Sequence, residues 1–376
     1  MSVQVVDGEL VTAYGVGLDA CWAGLARGQS AVKPLTRFST EPFKCHCAAT
    51  LDGLTYRSGE SIVWQMLSLL FDEQDSRIPA STPVLLASTT GEIDLLEQAV
   101  DEGKPAESDS KLVTLLHKIC TRLGGTHDGT VISSACASAS VALAQGAEMI
   151  ERCECDCVLV VACDIVSEFV YSGFASLMAL DPQGARPFDA SRQGLSVGEA
   201  AGFALLMSTE RAAKEKRSSL GALAGWGISN DANHMTGPSR DGEALARSIK
   251  SALACASIAP EAISLICAHG TGTLYNDSME LKAFKTVFSE PKPTFSVKGG
   301  TGHTMGAAGL LEVLITLKAQ QKNLVLPTIS LQHPAEDAMG WVSSELIPLQ
   351  NTEWALTTNS GFGGVNAALV LRRAGQ

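Results

Sequence analysis

Hydrophobic and polar positions follow two periodicities along this chain. Short apolar runs rich in β-branched residues and bounded by turn formers predict buried strands. They occur at Val3-Gln4-Val5-Val6, Leu10-Val11-Thr12-Ala13, Pro83–Ser88, Val131–Ser133, Val158–Ala162 and Gly202–Met207. Apolar residues three and four apart predict helices over Asp19–Arg27 (closed by Gly28), Ser61–Phe71 and Ala106–Leu123, and helical spacing also follows Glu92. Gln29–Thr55 has no clear period and reads as a loop-rich excursion, and Arg186-Pro187-Phe188-Asp189 lies in a turn.

The basic, helix-favouring Glu210–Arg217 is a connector, and after it the pattern starts again. Strand Gly221–Ile228 is followed by helix Gly242–Cys255. Ile263–Ala268 runs into His269-Gly270-Thr271-Gly272-Thr273 much as Pro83–Ser88 runs into Thr89-Thr90-Gly91. Thr294–Val297 leads through a Gly-rich turn to helix Ala307–Gln320, as Val131–Ser133 leads to Cys136 and its helix. Asn366–Leu371 closes the chain as Gly202–Met207 closes the first part. The echo is topological. It predicts an α/β protein of two pseudo-duplicated halves, residues 1–217 and 218–376, with the ends of their central elements face to face.

Composition narrows the class. Hydrophobic residues at 45% against charged residues at 18% describe a globular chain with a large core. Gly 35 beside aromatics at 5% favours close backbone packing in layers. A net charge of −12 argues against general nucleic-acid or anionic-membrane binding, both of which need a positive surface. Eleven cysteines, an odd number in a long chain, do not make a disulfide framework. With no charged-then-apolar leader and no apolar run able to span a bilayer, the predicted setting is the reducing cytoplasm. Cys45-His46-Cys47 and Cys153-Glu154-Cys155-Asp156-Cys157 have C-x-C spacing rather than paired C-x-x-C loops, so no metal site is predicted.

The candidate chemistry begins at Val131-Ile132-Ser133-Ser134-Ala135-Cys136-Ala137-Ser138-Ala139. A buried strand ending in a tight turn places Cys136 on the first turn of a buried helix, where the dipole favours a thiolate. Alone among alanines, such a cysteine would be a packing residue. Three later stretches change that reading. His269 ends a buried strand before glycines, where α/β sheets place ligands. Lys298-Gly299-Gly300-Thr301-Gly302-His303-Thr304 does the same and leads to Gly306-Ala307-Ala308-Gly309. Gly361-Phe362-Gly363-Gly364 needs unusual backbone angles around one aromatic. A Lys before glycines without the P-loop order is not a nucleotide site.

Five motifs in register resemble the β-ketoacyl-acyl carrier protein synthases of the thiolase superfamily, in their Cys-His-His form. They are Ser134-Ala135-Cys136-Ala137; Arg186-Pro187-Phe188-Asp189 with Arg192, Gly194 and Gly198–Gly202; His269–Thr273 with Asp277 and Glu280; Lys298 with Gly302-His303-Thr304 and Gly306–Gly309; and Gly361–Gly364 with Asn366. The resemblance covers most of the chain and is strongest from Ser133 onward. It implies a thiolase-like fold, two αβαβα-layered halves with central mixed sheets, and a decarboxylative Claisen condensation. Cys136 would take an acyl group from the phosphopantetheine arm of an acyl carrier protein. His269 and His303 would stabilise the enolate formed when malonyl loses CO₂, and the N–H groups of Cys136 and Phe362 would form the oxyanion hole. It further implies a buried Lys298–Glu280 ion pair, pantetheine contacts from Thr271 and Thr273, a gate at Phe362, a homodimer or a heterodimer with a similar chain, and no bound cofactor. Lys111, Lys118 and Arg122 occupy the place of the family's carrier-docking patch.

Three departures bear on the substrate. The stretch from Glu92 to Thr130 is shorter than in typical members, Ser360 stands where a Phe is usual, and Leu195 replaces another Phe. Smaller residues predict a roomier acyl pocket, suited to long, rigid or aromatic groups in fatty acid, polyketide or polyene synthesis. Two other readings are a non-condensing chain-length-factor subunit, which usually lacks the cysteine or a histidine, and a thiolase-like enzyme acting on coenzyme A esters.

Overall fold

The computed structural model describes residues 3–57, 59–71, 75–104, 110–125 and 128–375. Its strands in chain order are β1 Val3–Thr12, β2 Gly15–Val16, β3 Lys33–Pro34, β4 Cys47–Ala48, β5 Val84–Ala87, β6 Gly129–Ile132, β7 Cys157–Asp164 and β8 Ala200–Met207. There follow β9 Gly221–Asn230, β10 Ile263–Cys267, β11 Thr294–Phe295, β12 Leu324–Val325, β13 Ile347–Pro348, β14 Trp354–Gly361 and β15 Val365–Arg373. The helices are α1 Leu18–Ala26, α2 Ile62–Ser68, α3 Ile93–Asp101, α4 Leu112–Arg122, α5 Ser138–Glu151, α6 Glu168–Ser176, α7 Thr209–Lys214, α8 Glu243–Cys255, α9 Leu274–Val287, α10 Lys298–Thr301 and α11 Ala308–Lys322.

Among the described residues one mixed sheet of 11 strands runs β11-β10-β14-β15-β9-β1-β8-β7-β5-β6, with β2 paired to β1. At one end β5 is parallel to β6 and β7, then β7–β8 and β8–β1 are antiparallel. At the other, β10 is parallel to β11 and β14, then β14–β15 and β15–β9 are antiparallel. The two groups of strands therefore repeat each other in direction and in chain order, and an antiparallel β1–β9 pair joins them.

Side-chain alternation converts this sheet into layers. In β7, Val158, Val160 and Ala162 join a central core with α5 and α11, while Leu159, Val161 and Cys163 face α2 and α4. In β15, Leu369 and Leu371 enter the same central core, and Ala368 and Val370 face α8 and α9. The order is helix, sheet, helix, sheet, helix, as expected. Strands covered on both faces read as unbroken apolar runs, and β7 and β8 are buried along their whole length.

Several expectations change in detail. The two short N-terminal strands are one strand, β1, with a register irregularity between Val5 and Asp7. The helix expected over Ala106–Leu123 runs from Leu112 to Arg122; residues 106–109 of that expectation lie outside the described residues. Helices α6 and α9 and strand β14 were not expected. Buried Asn276, Asp277 and Glu280 interrupt the stripe of α9, and buried Thr357, Thr358 and Asn359 interrupt the apolar run of β14.

Candidate active site

The nucleophile turn is built from small residues under strain. Strand β6 ends at Ile132, and Ala135 adopts φ 48°, a left-handed conformation that costs a non-glycine residue roughly 1–2 kcal/mol. Ser138 locks the turn, its Oγ donating to the Ala135 carbonyl (2.6 Å) and accepting from the Ser134 N–H (2.8 Å). Ala137 is the N-cap of α5, so Cys136 lies just before the helix and not on its first turn. Gly361 presses on this turn: a Cβ there would stand 3.1 Å from the Ser134 carbonyl and 3.2 Å from the Cys136 nitrogen.

The thiolate expected at Cys136 is not favoured in the free protein. Burial pushes the thiol up to about 11, against smaller opposing effects from the Phe362 N–H, the Lys298 charge and the residue's own N–H. Desolvation of the anion is the largest of these effects and decides the direction. The same two N–H groups, those of Cys136 and Phe362, are the ones expected to form an oxyanion hole.

His269 follows β10 on a loop cradled by two acids of α9. The Glu280 carboxylate accepts the N–H groups of His269 (2.8 Å) and Gly270 (2.6 Å), and Asp277 accepts those of Thr271 (3.0 Å) and Gly272 (3.2 Å). His303 follows α10, and its own N–H donates to the Ser196 carbonyl at 2.7 Å. The Nδ1 of His269 sits 3.3 Å from the Asn359 amide nitrogen, and that of His303 accepts the Met305 N–H at 3.3 Å. With Nδ1 accepting in each ring, the remaining proton belongs on Nε2. Burial, reinforced by the Lys298 charge, holds both imidazoles well below their ordinary range, so both are neutral donors.

The two rings lie 5.2 Å apart between centroids and nearly perpendicular, at 87°. A ring nitrogen of each and the Cys136 sulfur come within 4.8 Å of one another. Such a Cys-His-His cluster has the donor set of a zinc site. Here the Lys298 field that depresses both imidazoles would also oppose a bound cation, and the thiol would have to ionise first.

The expected Lys298–Glu280 pair is not formed. Lys298 Nζ donates to the His269 carbonyl (2.6 Å) and pairs with Glu312 of α11, both side chains being almost completely buried. Glu280 is instead occupied by backbone N–H groups, Thr358 Oγ1 (2.9 Å) and Asn276 Nδ2 (3.1 Å), and burial pushes it up to about 7. Glu312 also accepts from Asn359 Nδ2 (2.7 Å), giving a connected chain Lys298–Glu312–Asn359–His269. Ser140 Oγ of α5 donates to Asn359 Oδ1, which ties the nucleophile helix to the same chain.

Glu312 escaped the sequence reading, and Asn359, at the head of the glycine-rich C-terminal stretch, was given no role in it. An acid inside the apolar run Leu310–Leu317 was the available signal, since a buried carboxylate demands a partner. Asp164 was missed too. It gathers Ser88 Oγ (2.8 Å), Thr89 Oγ1 (2.8 Å) and the Gly306 N–H (2.7 Å), fastening the end of β7 to the loop after His303.

Cys136 and both histidines open into a cleft of about 630 Å³, shared by Thr271, Thr273, Leu195, Ser360 and Phe362. Thr271 and Thr273 are joined through their hydroxyls at 2.9 Å, and Ser360 Oγ donates to Asn366 Oδ1 at 2.7 Å. Phe362 and Phe174 separate this cleft from an apolar pocket of about 240 Å³ that also reaches Cys136. Lys111, Lys118 and Arg122 do not line the cleft. Lys118 pairs with Glu92 (2.8 Å) and Arg122 donates to the Phe71 carbonyl (3.0 Å), whereas Lys111 is exposed and has no side-chain partner among the described residues.

The chain is similar in sequence and fold to known proteins. The model for the beta-ketoacyl synthase N-terminal domain matches residues 122–212, and that for the C-terminal domain matches residues 220–332. The 3-oxoacyl-[acyl-carrier-protein] synthase 2 of Vibrio cholerae serotype O1 is 29% identical over 412 aligned positions, covering 99% of each chain. Among solved structures, the ishigamide ketosynthase/chain length factor superposes with a TM-score of 0.90 at 28% identity, covering 100% of this chain and 99% of that one. A type II polyketide ketosynthase bound to its acyl-carrier protein gives 0.88 at 25% identity, covering 99% of each. The fold is thus that of the thiolase-like condensing enzymes. The chain belongs to the β-ketoacyl synthase family, whose members are acyltransferases.

Proposed function

We propose that this chain performs a decarboxylative Claisen condensation between an acyl group held on Cys136 and a malonyl group delivered on an acyl carrier protein. The observation that carries this reading is the meeting of one sulfur with two neutral imidazoles in a single cleft. An acyl thioester first exchanges onto Cys136, whose proton passes to the departing pantetheine sulfur. Nε2–H donors and the N–H groups of Cys136 and Phe362 stabilise the transient thiolate that burial disfavours.

The malonyl thioester then loses CO₂, leaving an enolate. Its oxygen takes both Nε2–H bonds, and its carbon attacks the acyl carbonyl. The tetrahedral oxyanion rests on the Cys136 and Phe362 N–H groups and collapses with cleavage of the C–S bond. The malonyl negative charge ends on the cysteine sulfur, which regains a proton. Neutral histidines suit this cycle because they stabilise the enolate without protonating it. Lys298, Glu312 and Asn359 position His269, and Glu280 and Asp277 shape its loop.

Thr271 and Thr273 bond the pantetheine arm, Phe362 gates the acyl group, and Leu195 and Ser360 leave room for long or rigid chains. The halves 1–217 and 218–376 each supply part of the site. The chain works as a homodimer or beside a similar subunit, as the ishigamide protein's description suggests for that assembly. Eleven free thiols fit a reducing compartment, and we place the reaction in the cytoplasm. No described helix is long and apolar enough to cross a membrane.

The test is direct. Purified protein given an acyl-carrier thioester should gain the acyl mass on Cys136 and, with malonyl carrier, release CO₂ and a β-keto product. Cys136→Ala should lose the adduct and the product. A wild-type protein that never acquires the adduct, alone or with a partner subunit, overturns the reading.

A further inference from the structure

A second pair of sulfurs lies behind the wall of the apolar pocket. Cys45 and Cys47 bring their Sγ atoms to 3.6 Å, close enough to share one proton. Cys45 is buried and Cys47 is partly exposed. The hydrogen bond from Cys47 holds the Cys45 thiol down to about 6, against the effect of burial, and the same bond raises Cys47, which keeps the proton. Burial pushes Cys136 the other way. Of Cys45 and Cys136, the first is therefore the thiolate at neutral pH, and Cys47 stands beside it as a resolving thiol.

The pair is joined to the site through its neighbours. The Tyr171 hydroxyl of α6 donates to the Cys47 carbonyl (3.3 Å), and the Tyr171 ring packs edge-on against Phe38 and Phe43. Helix α6 also carries Val170, Gly173 and Phe174, which line the apolar pocket. In addition, the Asp181 carbonyl lies 3.5 Å from the Cys45 sulfur, and the Asp181 N–H donates to the carbonyl of Leu195 in the cleft at 2.9 Å.

We propose that Cys45 and Cys47 close to a reversible disulfide when the protein meets a peroxide, and that closure slows acyl transfer to Cys136 by displacing α6 and the Asp181 segment. Only the second half rests on the condensing reading above. The Cys45 thiolate attacks one peroxide oxygen and the O–O bond breaks. Hydroxide departs and takes a proton from water, and the sulfur, oxidised by two electrons as the peroxide is reduced, becomes a sulfenic acid. The Cys47 sulfur then attacks Cys45. The S–O bond breaks, the Cys47 proton leaves with the hydroxyl as water, and the S–S bond forms. To reach bonding distance the sulfurs must approach by roughly 1.5 Å, and the backbone on either side of His46 has to supply that movement.

The experiment treats the reduced protein with hydrogen peroxide at pH 7, alkylates it with N-ethylmaleimide and digests it with trypsin, which leaves both cysteines in residues 45–57. That peptide should lose the mass of two hydrogens and take up no maleimide, at least about tenfold faster than Cys136 is oxidised, and dithiothreitol should restore it. Cys47→Ser should stop at a sulfenic acid on Cys45, trapped by dimedone, and Cys45→Ser should show none. Acyl loading of Cys136, read by intact mass, should slow roughly tenfold in the oxidised wild type, as expected when a substrate wall moves by about 1 Å. It should recover with dithiothreitol and stay at the reduced rate in both variants after the same treatment. A 45–57 peptide that keeps its hydrogens while Cys136 is oxidised overturns the proposal. So does a disulfide that leaves loading unchanged, or a loss of loading that is equal in wild type and variants. A protein that forms the disulfide but never loads an acyl group when reduced overturns the condensing reading and the link to loading, while the disulfide stands.

Discussion

The strands at the two ends of the sheet share one topology but do different work. At the β6 end the site is made by removing bulk: serine, alanine and glycine surround Cys136, and a left-handed Ala135 lifts it. At the β11 end the site is made by burying charge: Lys298, Glu312, Glu280 and Asp277 are sealed beneath two histidine loops. One end supplies shape for a covalent bond and the other supplies a field. Because the field is built from buried, fully bonded groups, it costs no reorganisation when charge appears on a substrate.

The largest expected effect tests the division itself. Cys136→Ala should lower condensation by at least about 10³-fold, while CO₂ release from malonyl carrier persists because the histidine side remains intact; product formation and CO₂ release, assayed separately, check it. On the other side, His269→Asn or His303→Asn should each slow CO₂ release roughly 10²–10³-fold, with acyl loading of Cys136 still visible by intact mass.

Next comes the buried pair. Lys298→Met strands Glu312 and should destabilise the fold by about 3–5 kcal/mol, and Lys298→Met/Glu312→Leu should recover much of it in urea titrations. Full additivity of the two substitutions would show that the pair is not coupled.

The protonation states give smaller but sharper tests. Imidazoles held well below 6.5 do not titrate between pH 6 and 8, so any inflection of CO₂ release there should come from Glu280, pushed up to about 7 beneath the His269 loop, and should disappear from the pH profile of Glu280→Gln. In the unfolded chain these histidines do take up protons near pH 6.5, so their contribution makes stability fall as pH drops below that value. Cys136 behaves oppositely. With the thiol raised to about 11, its alkylation by iodoacetamide should quicken about tenfold per pH unit between pH 7 and 10.

The sequence made the layered α/β class legible because periodicity survives wherever side chains are purely apolar, as in β7, β8 and β15. It also pointed to Cys136, His269 and His303, since each sits among small residues at the end of such a run. It was blind where polar groups are buried for the site's sake. Helix α9 and strand β14 were overlooked because Asp277, Glu280, Thr358 and Asn359 break the apolar stripe while satisfying each other or the histidine loops. The partner of Lys298 was misassigned for a related reason. Both Glu280 and Glu312 fall within reach in the chain, and only coordinates reveal that backbone N–H groups already occupy the first.

The meeting point of α5 and α11 has a consequence for engineering. A Cβ at Gly309 would stand only 2.1 Å from Ser140 Oγ, so even one methyl there must wedge the two helices apart. Cys136 precedes one of those helices and His303 precedes the other. A substitution at this single pivot would tune the gap between them like a shim, without changing any atom that reacts.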